Sequence, residues 1–481
     1  MSDKFFPIPI EQLLGIILHE LDSNQSILGI PSKLFFSPQK SNRLATEIFG
    51  QKIATPLGVA AGPHSQMAQN IIAAWLMGCR YIELKTIQTL DELEVSKPCI
   101  DMQDEGYNCE WSQELKVEQS FNEYLNAWVA IHILNHKLGL GSSPQTIFNM
   151  SVGYNLEGIK KPNVQWFLDR MTSCETELKT KINLVRPIYP AIDSILIPPQ
   201  LSNSITLSTM HGCPANEIEG IARYLLTERK LHTLVKLNPT LLGRQELRRI
   251  LNDELKFKTS VPDAAFEHDL KYPDAVQIIR SLQGDAERMG LQFGLKLTNT
   301  LESVNNRGTF KSEVEMMYMS GRALHPISIN LASKLQNEFD GQLLISFSAG
   351  VDAFNVVDTL KCGFRTVTVS SDLLKPGGYM RLNQYIEAIS AELLKNKLDS
   401  VGGLAHLKNG AAPTDYLSSY AGRVIENKRY QRSYLHEPTI KTTRELDYFD
   451  CISAPCRDTC AANQDIPDYL HHAANSQFDK A

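Results

Sequence analysis

Thr209, His211 and Cys213 occupy alternate positions in Thr209-Met-His-Gly-Cys-Pro214, directly after the β-branched run Ser204-Ile-Thr-Leu-Ser208. A hydroxyl, an imidazole and a thiol on one loop are groups that pass protons or act as nucleophiles. A free thiol titrates near pH 8.5 and a hydroxyl far higher, which makes Cys213 the better proton shuttle of the pair Thr209 and Cys213. Read singly, His211 and Cys213 also suit buried structural positions.

A second set of polar and small residues closes the other short apolar runs: Ala60-Ala-Gly62-Pro-His64, Glu83-Leu-Lys85-Thr86, Asn149-Met-Ser151, Lys236-Leu-Asn238, Lys296-Leu-Thr298-Asn299, Ser348-Ala-Gly350 and Ser370-Ser371. Small residues let backbone N–H groups approach a planar or phosphate-bearing ligand. Asn both donates to and accepts from the edge of a heterocycle. A lysine in such a place costs desolvation unless it meets an anion, a carboxylate or an electron-rich ring. Glycine and serine after the last two runs have the character of a barrel phosphate site, and Ser320-Gly321-Arg322 adds an amide pair and a guanidinium. Each segment alone is an ordinary turn or cap; their recurrence at successive run ends points to a site.

These residues need a frame that brings run ends together. Eight short β-rich runs fall at Leu57–Ala61, Tyr81–Lys85, Thr146–Ser151, Ser204–Ser208, Leu234–Leu237, Phe293–Leu297, Leu343–Phe347 and Thr366–Val369. Helical patterns lie between them at His64–Met77, Phe121–Lys137, Ala215–Glu228, Pro273–Met289, Pro326–Phe339 and Ala353–Lys361. Near-continuous apolar strands alternating with helices imply a parallel sheet covered on both faces, and eight repeats predict an α/β fold of the (β/α)8 TIM-barrel type over a doubly wound sheet. No Gly-x-Gly-x-x-Gly follows any run, so a dinucleotide-binding Rossmann unit has no support.

The stripe Ile10, Leu13, Leu14, Ile17, Leu18, Leu21 predicts an N-terminal helical cap within residues 1–44, and Thr46–Pro56 reads as a hairpin around Gly50. The barrel is expected over 45–398, with segments 98–119 and 178–199 as insertions, a linker or wrap over 399–444, and a cysteine segment over 445–481. There Cys451, Cys456 and Cys460 crowd together, whereas the other six of the nine cysteines are scattered. Charged residues at 21% and a net charge of −6 spread along the chain give no nucleic-acid footprint. Without a signal peptide or a run long enough to span a bilayer, a cytoplasmic address is expected.

At this point the residues resemble the dihydroorotate dehydrogenase-like FMN barrels over roughly residues 45 to 395: Thr55-Pro-Leu-Gly-Val-Ala-Ala-Gly62, Glu83-Leu-Lys85-Thr86, Val235-Lys236-Leu-Asn-Pro239, Leu297-Thr-Asn299, Ser320-Gly-Arg-Ala-Leu-His-Pro326 and Ser348-Ala-Gly350 follow in that family's order. Phe148-Asn-Met-Ser-Val-Gly-Tyr-Asn-Leu-Glu-Gly158, Thr206–Pro214 and Asp372-Leu-Leu-Lys-Pro-Gly-Gly378 look more closely like the YgfK-type selenate reductase subunits. Selenate in that family's label is not read as chemistry. The resemblance implies FMN held by Ala61, Gly62, Lys85, Thr86, Asn149, Lys236, Thr298, Asn299, Gly321, Gly350, Ser370 and Ser371.

It further implies an oxidoreductase that reduces or oxidises a CH–CH group of a small, N-heterocyclic substrate. The proton would be handled by Cys213, Thr209 or His211, since Thr209 stands on the line where the dehydrogenases carry their base. The spacing Cys451-x4-Cys456-x3-Cys460 resembles the first iron–sulfur ligand run of the glutamate synthase small subunit. Three thiolates do not complete a four-ligand cluster, so the expected electron path runs to a redox partner subunit or a C-terminal FAD/NAD(P) region, with homo-oligomers or hetero-complexes anticipated. Two other readings stand beside this one: a barrel lyase using Lys85 or Lys236 as a Schiff base, and a non-catalytic electron-transfer or assembly subunit.

Overall fold

The computed structural model describes residues 5–38, 43–91, 93, 95, 98–102, 105–109, 113–209, 211–406, 413–434, 460–462 and 464–481. Eight parallel strands close on themselves in chain order: β1 (Leu57–Val59), β2 (Tyr81–Glu83), β3 (Ile147–Val152), β4 (Ser204–Ser208), β5 (His232–Leu237), β6 (Phe293–Leu297), β7 (Ile345–Phe347) and β8 (Thr366–Val369). The β-branched and aromatic content of these runs favours extended backbone. Burial on both faces explains why they are nearly continuous apolar stretches rather than alternating ones.

The barrel interior is not wholly apolar. Register places Ser208 beside Lys236, Lys236 beside Lys296, Lys296 beside Ser346 and Ser346 beside Thr366. Glu83 and Lys296 are fully buried, 2.8 Å apart from Oε2 to Nζ, and Lys236 stands 3.6 Å from the other carboxylate oxygen. Lys296 also donates to Ser346 Oγ at 3.0 Å and Thr368 Oγ1 at 2.6 Å. Burial pushes the Lys296 ammonium down to about 8. Burial also raises the Glu83 carboxyl, but the two lysines outweigh it and hold that group below its ordinary value. This polar layer forms the floor of the barrel mouth.

Two insertions meet above the mouth in an antiparallel sheet ordered Leu301–Val304, Met316–Gly321, Glu105–Asn108, Ile100–Met102. Its strands follow β2 and β6, and the register joins Leu301 to Met319, Tyr318 to Asn108 and Tyr107 to Asp101. The segment after β2, expected as an insertion over 98–119, supplies the strands Ile100–Met102 and Glu105–Asn108. After β6, Met316–Gly321 alternates partly and fully buried residues with period 2, the signature of a strand with one face inward.

The N-terminal helix Ile10–Asn24 buries Ile10, Leu13, Leu14 and Ile17, and the hairpin forms from Thr46–Ile48 and Gln51–Ile53. The stretch expected as a linker holds a helix, Pro413–Glu426, whose Leu417, Tyr420, Ala421 and Val424 are buried. It docks on helix Leu324–Glu338, where Asn330 Nδ2 donates to Ala421 O at 3.1 Å and Tyr420 OH meets His325 Nε2 at 3.0 Å. Cys451 and Cys456 lie outside the described residues; Cys460 accepts a hydrogen bond from Gln464 N at 3.4 Å. No helix among the described residues is long and apolar enough to cross a membrane.

Candidate active site

A cavity opens at the C-terminal ends of the strands, beneath the antiparallel sheet, where βα loops of a closed barrel converge. Of the twelve residues expected to hold a cofactor, eleven line it: Ala61, Gly62, Lys85, Thr86, Lys236, Thr298, Asn299, Gly321, Gly350, Ser370 and Ser371. Asn149 is fully buried behind the wall, donating to Thr206 Oγ1 at 2.7 Å and Met150 O at 3.1 Å. It fixes β3 against β4 from inside.

The wall between β7 and β8 is backbone brought very close. Gly350 has φ +52°, and a Cβ placed there would lie 2.2 Å from the Gly321 carbonyl oxygen. At Gly62 a Cβ would come within 3.0 Å of Ser370 Oγ. Ser320 Oγ and Ser371 Oγ are 2.9 Å apart. Asp352 and Asp372 also line the cavity and are tied back from it: Arg429 pairs with Asp352, while Arg381 holds Asp372 at 2.9 Å and Tyr385 OH donates to the same carboxylate at 2.9 Å.

On the opposite side, beyond β4 and β5, the cavity-lining Asn299 leads outward into a chain of side chains. Asn299 Nδ2 donates to Thr209 O at 3.0 Å and to Asn238 Oδ1 at 2.9 Å. Asn238 Nδ2 donates in turn to His211 Nδ1 at 3.3 Å. Thr209 Oγ1 donates to Lys236 O at 2.7 Å, so its hydrogen is committed to the next strand. Ser208, one residue earlier, is the β4 residue whose side of the chain faces the cavity.

Cys213 sits in a separate small cavity with Thr209, Ile218, Leu237, Asn238, Thr240, Leu241 and Leu270. Burial first, and the Glu217 carboxylate second, push its thiol up to about 11. His211 faces Asp269 at 3.2 Å and Glu302 at 3.3 Å and stacks on Tyr318. The three loop residues chosen from the sequence are thus neighbours, but none of them lines the main cavity. Sequence reasoning missed Ser208, although the period-2 alternation from Thr206 puts it on the inward face, and it missed Asp269 and Glu302, which no local motif marks.

The family model described as oxidoreductase YgfK, N-terminal TIM-barrel domain, matches residues 28–432. The chain belongs to the YgfK oxidoreductase family. Two curated members, oxidoreductase YgfK of Escherichia coli K12 and of Escherichia coli O157:H7, are each 41% identical over 491 residues, covering 98% of this chain and 46% of theirs. The chain therefore spans about half the length of the YgfK relatives it matches. Among solved structures, ligand-free DHODH from Eimeria tenella aligns with TM-score 0.52 at 15% identity, covering 83% of this chain and 99% of that one. DHODH in complex with ferulenol, from the same organism, aligns with TM-score 0.50 at 14% identity over 85% and 98%. This likeness establishes that the YgfK barrel domain shares the DHODH fold.

Proposed function

We propose that this barrel is the FMN-binding catalytic domain of its oxidoreductase family and acts on a CH–CH group of a small, N-heterocyclic substrate. The observation that carries the reading is the convergence of Gly62, Lys85, Lys236, Gly321, Gly350 and Ser370 on one cavity at the strand ends. The fit to the cofactor rests on two features. A cradle of glycine backbone that one added methyl group would fill suits a phosphate and a flat ring. Two lysines at the other end suit the electron-rich edge of an isoalloxazine, which a cation near N1 and C2 stabilises when reduced.

When bound, FMN supplies hydride transfer at N5. The chain's own residues then divide the remaining work. Backbone amides near Gly321, Gly350 and Ser370 hold the phosphate end, while Lys85, Lys236 and Asn299 hold the ring edge. Glu83 keeps Lys236 and Lys296 in place from below, at 3.6 and 2.8 Å. The sheet over the mouth, through Tyr107 and Asn108, keeps water from the reacting atoms. Proton transfer belongs to the end of β4: Ser208 faces the cavity, and Thr209, Cys213 and His211 stand behind it.

The chain spans about half the length of its curated relatives, and the electron path is assigned to a redox partner or further region of the FAD/NAD(P) or iron–sulfur kind, to which Cys451, Cys456 and Cys460 would contribute thiolates. Reconstitution tests the reading. The purified chain should take up one FMN and show a flavin spectrum whose reduced form is reoxidised by members of an N-heterocycle panel. A chain that stays colourless after incubation with FMN refutes it.

A further inference from the structure

A cluster of metal-ligating groups lies beside the cavity without lining it. His211 in the loop after β4, His268 at the end of helix Asp263–His268, Asp269 beside it and Glu302 on the overlying sheet turn their polar atoms toward one another. One ligand atom each from His211, His268 and Glu302 falls within a mutual distance of 4.8 Å.

The hydrogen bonds around His211 define what this space needs. Asn299 gives one amide hydrogen to the Thr209 carbonyl, which can only accept, and another to Asn238 Oδ1. That fixes the Asn238 amide with its nitrogen toward His211 Nδ1, at 3.3 Å. His211 Nδ1 therefore presents a lone pair. The same nitrogen lies 3.2 Å from Asp269 Oδ2 and 3.3 Å from Glu302 Oε2, and His268 Nε2 approaches that Glu302 oxygen at 3.4 Å. Glu302 Oε2 is buried and has no hydrogen-bond partner. Asp269 already accepts from Thr240 Oγ1 at 2.5 Å and Gly212 N at 3.0 Å, so a carboxylate, not a protonated acid, faces the imidazole. Ligand atoms of His211, His268 and Glu302 share one small volume, with Asp269 Oδ2 against the His211 side of it, and a cation reconciles them.

We propose that His211, His268 and Glu302, with Asp269 as the fourth donor, bind a divalent first-row transition ion of the zinc class. Mixed imidazole and carboxylate donors select such ions over magnesium or calcium, which take oxygen ligands. Donors at zinc–ligand distances around a tetrahedral ion lie roughly 3.3–3.5 Å apart, and the three shortest separations here are 3.2, 3.3 and 3.4 Å. Tyr318, stacked on the His211 ring with centroids 5.6 Å apart, holds that imidazole in plane. His268, with 39% of its side chain exposed, gives the ion its way in. The ion pins the loop after β4 to the overlying sheet, and so sets the Asn238 and Asn299 wall of the cavity.

The test uses the full chain carrying Cys451→Ser, Cys456→Ser and Cys460→Ser, so that tail thiols cannot supply the site. Zinc is titrated in competition with a chromophoric chelator, and cobalt(II) is used as a spectroscopic probe. One zinc per chain is expected, with a cobalt spectrum of nitrogen and oxygen ligation and no thiolate charge-transfer band. His268→Ala, at an exposed position, should weaken zinc roughly tenfold or more, and Glu302→Gln likewise. Zinc should raise the melting temperature of the parent chain and not of the His268→Ala chain. Absence of stoichiometric binding in the cysteine-free chain overturns the proposal, as does binding that both variants leave unchanged.

Discussion

The two walls of the cavity are built from different materials. The β7–β8 wall is mainly close-packed backbone: Gly321, Gly350, Gly62 and the Ser370–Ser371 turn, with Asp352 and Asp372 also on the lining and tied back by Arg429 and Arg381. The β4–β5 wall is side chains: Ser208, Lys236 and Asn299 line the cavity, and Asn299 is backed in turn by Asn238, His211 and its carboxylates. Backbone donors are set by the fold and cannot be exchanged, so such a wall suits a ligand that never changes. A side-chain wall can be retuned one residue at a time, which suits the part of a site that meets the substrate. On the proposed reading, the cofactor phosphate belongs to the first wall and the chemistry to the second.

The largest effect should come from adding one methyl group to the backbone wall. In Gly350→Ala the new Cβ meets the Gly321 carbonyl oxygen at 2.2 Å and its carbon at 2.8 Å, at a φ of +52°. Both obstacles are main chain and cannot rotate away, so FMN affinity is expected to fall by about 100-fold or more. Gly15→Ala, where nothing lies within 4 Å, is the matched control and should bind as the parent does. Fluorescence titration of FMN into both chains decides; equal affinities would erase the contrast between the walls.

Next comes the side-chain wall. Ser208 faces the cavity, whereas Cys213 occupies its own pocket with a thiol pushed up to about 11. With a substrate found by the reoxidation screen, Ser208→Ala should slow the half-reaction by about 10²–10⁴, the range for loss of a positioned proton-transfer group. Cys213→Ala should leave it within about twofold, because its thiol lies in a separate pocket and does not line the cavity. Single-turnover flavin absorbance measures both. The reverse ranking would restore Cys213 as the shuttle.

The two walls also differed in how far the sequence revealed them. Strand ends such as Ser348-Ala-Gly350 and Lys236-Leu-Asn238 carry their message locally, because a parallel strand delivers its last residues to the mouth whatever lies between strands. All eight barrel strands were therefore readable, and with them the cavity wall. The β4 loop was found as a motif but not placed, since the loop's path depends on Asp269, 58 residues beyond His211. Glu302 was invisible for the same reason: it reaches His211 through a sheet made of two separate insertions. The helix Pro413–Glu426 was taken for linker because its apolar stripe of Leu417, Tyr420, Ala421 and Val424 is short and flanked by polar sequence. The docking face that explains the stripe is contributed by residues near 330.

Below both walls, Glu83 is the shared support. Glu83→Gln removes the negative charge that lies 2.8 Å from Lys296 and 3.6 Å from Lys236 and leaves a fully buried ammonium uncompensated. Losing one partner of a buried pair costs about 3–5 kcal/mol. Urea unfolding at neutral pH should show that loss. The double variant Glu83→Gln with Lys296→Met should recover part of it, because no buried charge is then stranded at Lys296. If the single variant is as stable as the parent, the polar layer carries no structural weight and the two walls do not share a floor.

The smallest effect is a pH dependence that should touch the backbone wall before the other. His325 donates through Nδ1–H to Ala349 O, 2.8 Å away in the β7 loop, so its neutral ring accepts at Nε2 from Tyr420 OH, 3.0 Å away on the docked helix. Burial pushes this imidazole down to about 4, against the raising influence of the Ala349 carbonyl. The unfolded chain takes up the proton near its ordinary value of about 6.5. Between those two values the unfolded state binds more protons, so the contribution to stability is complete above the upper one and is lost as pH falls toward the lower, up to about 3 kcal/mol. His64 and His132 are likewise pushed down to about 4 by burial. Burial lowers His232 as well, and Glu83 and Asp269 are held below their ordinary values, so His325→Gln should flatten the acid limb of a stability–pH curve and not abolish it. FMN release between pH 6 and 5, measured beside zinc retention at the His211 cluster, would show whether acid opens the β7–β8 wall first, as the position of His325 requires.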